Sequence, residues 1–171
     1  MRQLLLLCFF FVTINCHSQE KTVFDVARKG TLSEIQAIYS RNPEIINSVD
    51  ENKSTPLILA CYRGNLEVAK FLIKYVKEIN YGSDMGTALM ASTYKNQTEL
   101  VKLLLESKAN PNIADANGTT ALLLALQFKN IELVKLLLKF NADKTLKDNK
   151  GKTAFEYAVF SENEQLINLF K

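Results

Sequence analysis

The sequence predicts an all-α solenoid of about five helix–turn–helix repeats joined by short hairpin loops. One phrase recurs along the 171 residues at a spacing of 32 to 33, and its strongest copies begin at Thr55, Thr87 and Thr120. A fourth copy begins at Thr153 and a weaker one at Thr22. A period of this length is typical of stacked repeats, in which each unit buries its apolar face only against its neighbours.

The same residue types return at fixed distances from the opening threonine of each copy. The fifth residue after the threonine is always small: Ala27, Ala60, Ser92, Ala125 and Ala158. The thirteenth is always apolar: Ile35, Val68, Leu100, Leu133 and Leu166. The small residues predict a close crossing between helices and the apolar residues predict buried positions, so both columns belong to the expected core.

Each copy predicts two short antiparallel helices. Threonine is a favourable N-cap, and Pro56 occupies the first helical position, where its missing N–H has no helical partner to lose. The first helix should end near Tyr62, before a left-handed residue at the ninth position that suits Gly64 and suits Lys129 or Glu162 less well. The second helix has apolar residues at i, i+3 and i+4. Its polar face predicts three ion pairs: Glu67 with Lys70, Glu99 with Lys102, and Glu132 with Lys135.

Polar segments rich in Asp, Asn and Gly separate the copies and predict tight turns. The third copy is one residue short at 83–86, so its hairpin should be the tighter one. Residues 19–171 are therefore expected to form one continuous domain, whose polar last unit caps the stack. The approximate units are 22–49, 50–81, 82–114, 115–147 and 148–171.

The phrase TPL…A…G…E.V..L, the 33-residue period and the Asp-x-x-Gly turns together resemble the ankyrin repeat. The resemblance covers about residues 22–171 and implies paired antiparallel helices, hairpin loops on one side and a concave surface that binds proteins. Lys108 and Asn141 stand where the family has a glycine. The family's His after Thr-Pro-Leu is also replaced, so its polar network between adjacent loops is expected to be absent; the replacements are Ile58, Met90, Leu123 and Glu156.

Residues 1–18 lie outside the repeats and predict a secretory signal peptide. A short positive start precedes an almost unbroken apolar run over 4–14, which is shorter than the roughly 20 residues of a membrane span. Cys16 and Ser18 are small residues that fit a cleavage site between Ser18 and Gln19. The alternative is a lipoprotein acylated at Cys16. We therefore expect export to the periplasm or out of the cell, with no transmembrane segment in the mature chain.

Signal cleavage leaves a nearly neutral chain with a single cysteine. Loss of Arg2 lowers the formal net charge from +3 to +2, and the remaining basic residues alternate with acidic ones. Nucleic-acid binding needs a concentrated basic patch, so this class of partner is excluded and a protein partner is expected. Cys61 is expected to be a small buried apolar residue. One cysteine permits no internal disulfide, so a monomer stabilised by repeat stacking alone is predicted.

The mature chain lacks the residues that most enzyme mechanisms require. His17, the only histidine, leaves with the signal peptide, which excludes histidine-dependent triads, histidine metal sites and a base for Cys61. Carboxylate pairs such as Glu162 with Glu164 are interpreted as solvated turn and capping residues. A carboxylate hydrolase would need a closed pocket, which nothing in the sequence predicts. We expect a non-catalytic protein without cofactor or metal.

The resemblance points the seventh and eighth residues of each copy toward the concave side. Tyr and Arg are favoured at the energetic centres of interfaces, whereas the alternative for these rings is packing over helix ends. Phe160, at the equivalent position of the last copy, is expected to cover the terminal unit. The candidate binding residues on this side are Tyr62, Arg63, Tyr94, Lys95, Gln127 and Phe128. The hairpin loops add Asn52, Asn117, Asn149 and Lys152.

Two classes of function remain open. The first is an exported scaffold that binds another protein through its concave face and hairpin loops. A narrower form of it is an inhibitor or immunity protein that blocks a toxin or enzyme of the envelope. The second class is a membrane-tethered structural protein that protects the envelope under stress, which acylation at Cys16 would favour.

Overall fold

The computed structural model describes residues 20–171, which form five antiparallel helix pairs in a stack. The expected signal peptide, its cleavage site and Cys16 lie outside the described residues. A 3₁₀ helix, Pro43–Asn47, leads from the first pair to the second. The first helices of the pairs are α1 (Val23–Lys29), α3 (Pro56–Arg63), α5 (Ala88–Tyr94), α7 (Ala121–Gln127) and α9 (Ala154–Phe160). The second helices are α2 (Leu32–Arg41), α4 (Leu66–Tyr75), α6 (Thr98–Glu106), α8 (Ile131–Lys139) and α10 (Glu164–Asn168).

The helices pack in two layers, and the core lies between them. Each first helix contacts the first helix of the next pair, and the second helices do the same. We call these the inner layer and the outer layer. The five small residues of the fifth position and the five apolar residues of the thirteenth are all buried. The predicted all-α solenoid and its core columns are thereby confirmed.

The opening threonines act as N-caps, as predicted. In every inner helix the threonine hydroxyl accepts a hydrogen bond from the backbone N–H three residues on. These bonds need only four consecutive residues, which is why the sequence predicts them. They fix where each inner helix starts and therefore which side chains stand at its far end.

The turn from inner to outer helix has one left-handed residue in each of the last four repeats. Gly64 has φ +72°, and Asn96, Lys129 and Glu162 have φ between +54° and +60°. After Gly64, Asn96 and Lys129 the next N–H reaches a carbonyl five residues back, as from Asn130 to Ala125 at 3.0 Å. The bond satisfies a carbonyl at the helix end, so Lys129 adopts the left-handed conformation despite its unfavourable side chain. Glu162 has the same conformation, but the N–H that follows it donates to the Ser161 hydroxyl at 3.2 Å.

The hairpin of the third unit is the tighter one, as predicted. Strands β1 (Gly82–Ser83) and β2 (Gly86–Thr87) pair across a two-residue turn. The loops at Asp50, Asp115 and Asp148 are wider, and each aspartate accepts two backbone N–H bonds from its own loop.

No histidine lies in residues 20–171, so the histidine network of the family is absent there, but polar contacts of another kind join adjacent loops. The Asn149 N–H donates to the Asn117 carbonyl at 2.9 Å, and its side-chain amide donates to the Ala116 carbonyl at 2.9 Å. The Ala116 N–H in turn donates to the backbone carbonyl of Asp84 at 3.4 Å. Loop backbone and an asparagine amide thus join these adjacent loops without a histidine.

Of the three predicted ion pairs on the outer layer, only one forms among the described residues. Lys70 lies 3.4 Å from Glu67, but it is closer to Glu99 of the next repeat, at 3.0 Å. Lys102 pairs with Glu106 at 3.8 Å instead of with Glu99. Exposed lysines have several acceptors within reach and each pair is worth little, so spacing within one helix does not decide the partner.

The last repeat is polar at its surface but leaves apolar side chains exposed. Phe155 and Val159 are 46% and 44% exposed, whereas the equivalent Leu122 and Leu126 are buried beneath the following repeat. The expectation that Phe160 covers the terminal unit is wrong, because its side chain is 65% exposed. Its ring instead lies 4.4 Å from the Lys152 ammonium at the surface.

Candidate functional site

Three exposed aromatic rings from consecutive repeats form a continuous row, which we call the aromatic row. The centroids of Tyr62 and Tyr94 lie 6.0 Å apart with ring planes 15° from parallel. Phe128 meets Tyr94 edge to face at 5.4 Å. The three side chains are 40% to 50% exposed, so they contact one another along one edge and solvent along the other.

The position of the aromatic row follows from the helix ends. Tyr94 is the last residue of α5, and Phe128 is the C-cap of α7. Gln127 occupies the seventh position of its copy, but the eighth residue, Phe128, makes the contact with Tyr94. Gln127 lies beside the hydroxyl of Tyr157, whose pKa is raised mainly by its hydrogen bond to Asp148 and is slightly lowered by Gln127. The row therefore shifts by one residue in the fourth repeat.

Two of the predicted cations border the row. The Lys95 ammonium lies 4.7 Å from the Tyr62 centroid and 5.9 Å from the Tyr94 centroid, and the Arg63 guanidinium lies 6.0 Å from Tyr62. Neither cation lies within ion-pair distance of a carboxylate of residues 20–171. These cations are attracted to the ring faces and still present their charge to solvent.

An open depression of about 520 Å³ lies at the Phe128 end of the row. Its walls combine two aromatic rings with one cation and contain no carboxylate. The lining residues are Tyr94, Asn96, Phe128, Lys129, Asn130 and Ile131. A depression with this lining has room for an apolar side chain against the rings and for a negatively charged group beside Lys129.

The loop candidates lie at the other end of the inner helices. A seven-residue helix is about 10 Å long, so the structure separates the loops from the aromatic row by about this distance. Asn52, Asn117 and Asn149 are exposed, but Asn117 and Asn149 already join two loops. Lys152 bridges the two regions, since its side chain extends to the ring of Phe160.

A column of side-chain amides at the tenth position holds the turns together, and the sequence reading missed it. The amide of Asn65 donates to the Gly30 carbonyl at 2.9 Å, and that of Asn130 donates to the amide oxygen of Asn96. Gln97, in the orientation that satisfies its amide, donates to the Cys61 carbonyl at 2.9 Å and accepts from the Gly64 N–H at 3.1 Å. The sequence does contain a signal for this column, because an amide side chain recurs at the tenth position of four copies: Asn65, Gln97, Asn130 and Asn163.

These amides matter to the candidate site because they join the turns that carry the aromatic row. Gln97 follows Tyr94 and Lys95 in sequence and bonds to the turn after Tyr62. Asn130 follows Phe128 and bonds to the turn after Tyr94. The rings are therefore held in register before any partner arrives, which lowers the entropic cost of binding.

The remaining chemistry of the described residues is modest. Burial raises the pKa of the Cys61 thiol to about 12, with a small opposing effect from the Ser92 hydroxyl. Within residues 20–171, no three His, Cys, Asp or Glu side chains come together as a metal site. No helix in this part of the chain combines the length and apolar character needed to cross a bilayer.

A family model described as ankyrin repeats (3 copies) matches residues 23–115 and 94–170. The chain is 32% identical over 106 residues to Ankyrin repeat and SAM domain-containing protein 6 of Rattus norvegicus, covering 61% of this chain and 12% of that protein. It is 45% identical over 73 residues to Ankyrin repeat and KH domain-containing protein 1 of Homo sapiens, covering 43% and 3%. It is 31% identical over 112 residues to Putative E3 ubiquitin-protein ligase XBAT34 of Arabidopsis thaliana, covering 63% and 30%. The chain thus spans less than a third of each relative's length.

Proposed function

Because the chain belongs to the ankyrin-repeat family, we propose that it is a non-catalytic, monomeric scaffold that binds one protein partner through the aromatic row. The observation that carries this proposal is the register of Tyr62, Tyr94 and Phe128, which are half-exposed and in contact across three repeats. Exposed aromatic side chains on a rigid support are typical of the energetic centre of an interface. The hairpin loops, led by Asn52 and Lys152, are proposed as the rim.

A non-catalytic role agrees with the state of Cys61, the one cysteine among the residues that the structure describes. Cys61 is fully buried, and the pKa of its thiol is raised to about 12, so it is not a thiolate at neutral pH. The pKa values of Asp25 and Glu156 are lowered because both carboxylates accept bonds from their capping threonines. These groups stabilise helix starts and are poorly suited to proton transfer near neutral pH.

The test is capture of a partner by the full chain with a C-terminal tag, compared between two matched variants. Tyr94→Ala removes the central ring of the row. Tyr75→Ala removes a ring of similar exposure in the outer layer. The centroid of this ring lies 4.9 Å from that of Tyr39 and 4.7 Å from that of Phe71. We expect one protein to be retained by the native chain and Tyr75→Ala, and lost with Tyr94→Ala. Equal retention by both variants would contradict a binding role for the row.

We also propose that the chain is exported and that residues 1–18 are removed. The positive start, the apolar run over 4–14 and the small residues at Cys16 and Ser18 support this proposal. The intact mass of the protein recovered from its own cells tests it. A chain that begins at Gln19 agrees with a free exported scaffold, and a lipid-modified Cys16 would favour the tethered, stress-protective alternative. An unprocessed chain in the cytoplasm would contradict export.

The identity of the captured partner separates the two versions of the scaffold. A toxin or enzyme whose activity is lost on binding indicates an inhibitor or immunity protein. A partner whose activity is unchanged indicates an assembly role. The small size of the domain and its exposed aromatic row agree with an inhibitor and with an assembly scaffold alike.

A further inference from the structure

The inner layer keeps its cationic side chains apart from its acidic ones, whereas the outer layer pairs them. Helices α3, α5 and α7 contain no aspartate or glutamate. Each has one cation at its C-terminal end: Arg63 is the last residue of α3, Lys95 is the C-cap of α5, and Lys129 follows the C-cap of α7. All three are exposed, and none has a carboxylate within 4 Å among the described residues.

The acidic groups of the inner layer are placed elsewhere. Asp25 and Glu156 lie in the first turns of α1 and α9, at the loop end, where each binds its capping threonine. Glu162 lies in the last turn, one repeat beyond Lys129. The outer layer, by contrast, compensates its charge, since Lys70 bridges Glu67 and Glu99.

A structural role accounts for part of this pattern. A cation near a helix C-terminus is stabilised by the helix dipole, and Lys95 is also attracted to the ring of Tyr62. Neither effect requires that carboxylates be missing from three successive inner helices. Packed helices are separated by about 8–10 Å, close to the screening length of about 10 Å at 0.1 M salt, so these like charges repel one another. A bound anionic group would remove that cost.

The charges and the aromatic row face the same space. Lys129 lines the open depression together with the rings of Tyr94 and Phe128, and no carboxylate lines it. A neutral or basic segment would lay its charges against Arg63, Lys95 and Lys129 without compensation. A segment with carboxylates would pair them with these cations and insert an apolar side chain between the rings.

We propose that the partner presents an acidic segment with an apolar anchor, whose carboxylates pair with Arg63, Lys95 and Lys129. The anchor occupies the depression between Tyr94 and Phe128. This inference rests on the proposed function, because it takes the aromatic row to be the binding surface. The inference specifies that the partner segment is negatively charged, which the positions of the three rings do not determine.

The test is a selection of random phage-displayed peptides on the full chain, compared with Tyr94→Ala and with two charge-reversal variants. The site variant carries Arg63→Glu, Lys95→Glu and Lys129→Glu. The control variant carries Lys70→Glu, Lys102→Glu and Lys135→Glu on the outer layer. All six residues are exposed, and Glu162 shows that glutamate adopts the left-handed conformation of Lys129, so both variants should fold. Circular dichroism checks that they do.

We expect the native chain and the outer-layer variant to enrich peptides with aspartate or glutamate beside an apolar residue. The site variant should lose them and enrich lysine or arginine. A synthetic copy of an enriched peptide, with its acids changed to amides, should bind at least about tenfold more weakly. Affinity for the acidic peptide should also fall as salt rises.

The outcomes separate this inference from the proposed function. Peptides that no longer bind Tyr94→Ala but carry no excess of aspartate or glutamate would overturn the inference. They would still agree with the aromatic row as the binding surface. Acidic peptides that bind the site variant equally well, or that depend on the outer-layer lysines, would also overturn it. Peptides indifferent to both Tyr94→Ala and the site charges would contradict the proposed function itself. A selection that enriches nothing would count against the inference, because random pools contain many acidic segments with apolar residues.

Discussion

The rings of Tyr62 and Tyr94 lie 6.0 Å apart and within 15° of parallel, although 32 residues separate them in the chain. This spacing equals one repeat, so the stack places equivalent side chains next to each other. Lys95 lies near both rings and keeps its charge at the surface. A one-dimensional repeat in sequence is thus converted into a continuous surface of rings and cations.

The contact between Tyr62 and Tyr94 should be measurable as a coupling free energy. We expect a double-mutant cycle with Tyr62→Ala and Tyr94→Ala to give about 0.5–1.5 kcal/mol, because stacked aromatic pairs contribute this much beyond their buried area. Denaturant unfolding of the native chain, both single variants and the double variant measures it. Strictly additive losses would show that the rings do not interact in solution.

Lys108 should be a position where glycine stabilises the protein. It follows α6 with φ +68°, and the N–H of the next residue bonds to the Leu104 carbonyl at 2.9 Å. The left-handed conformation costs a non-glycine residue about 1–2 kcal/mol, and glycine avoids this strain. Glycine also loses more backbone entropy on folding, which offsets part of the gain. Lys108→Gly should therefore raise the free energy of unfolding by about 0.5–1 kcal/mol.

The matched control for Lys108 is Lys102→Gly, inside α6. Lys102 is also an exposed lysine, but its conformation is helical, so glycine there should destabilise by about 1 kcal/mol. Chemical denaturation compares the two variants with the native chain. The same sign of change at both positions would mean that the turn geometry is not what distinguishes them.

The loop network should make two similar glycines respond differently to alanine. Gly118 and Gly151 have φ of +74° and +76°, so alanine strains both by about 1–2 kcal/mol. An added Cβ at Gly118 would lie 2.7 Å from the Asn149 amide oxygen and 2.9 Å from its backbone nitrogen, whereas nothing lies within 4 Å of one at Gly151. Gly118→Ala should therefore cost a further 1–3 kcal/mol or so, from the forced movement of the neighbouring loop. Equal losses of stability in thermal unfolding would refute a tight contact between the loops.

Cys61 should be unreactive in the folded protein. Its thiol is fully buried and has a pKa of about 12, so almost no thiolate is present at pH 8 or so. In a protein spanning 19–171, where Cys61 is the sole cysteine, a thiol reagent should react completely only after denaturant is added. Ser33→Cys places a second thiol on the exposed face of α2 and should react at once. Rapid native labelling of Cys61 would show that the second repeat opens readily.

The bond between Tyr157 and Asp148 should make part of the stability depend on pH. The Tyr157 hydroxyl donates to Asp148 at 2.6 Å, and this bond, followed by the Lys152 N–H, lowers the pKa of Asp148. A lowered pKa contributes stability above the ordinary value of about 4, and the contribution is lost as pH falls through the folded value. Tyr157→Phe should therefore lower the melting temperature most near neutral pH and progressively less in acid.

The control for that change is Tyr39→Phe. Tyr39 packs its ring against Phe71 and Tyr75, but its hydroxyl makes no hydrogen bond to another described residue. Its effect should be small and independent of pH. An NMR titration of the Asp148 carboxylate gives the direct measurement, and an unchanged pKa in Tyr157→Phe would rule out the assigned cause.

The sequence alone determined the helices, their caps and the core columns of this protein. A threonine hydroxyl and the N–H three residues later meet inside one turn, so the cap is written into four residues. The buried positions recur at every repeat, because each unit buries the same face against its neighbours. The shortened hairpin at 83–86 was visible as a missing residue. These features depend on local geometry, which spacing encodes directly.

Only the tertiary structure decided which side chains meet between repeats. Phe128, and not Gln127, contacts Tyr94, and Phe160 remains exposed beside Lys152. Asn149 joins two loops of a chain that lacks the family's histidines at these positions. Each outcome depends on how neighbouring units stack against each other, which residues of a single unit do not encode. A repeat sequence fixes that neighbouring units stack, whereas packing of the actual side chains fixes which of them touch.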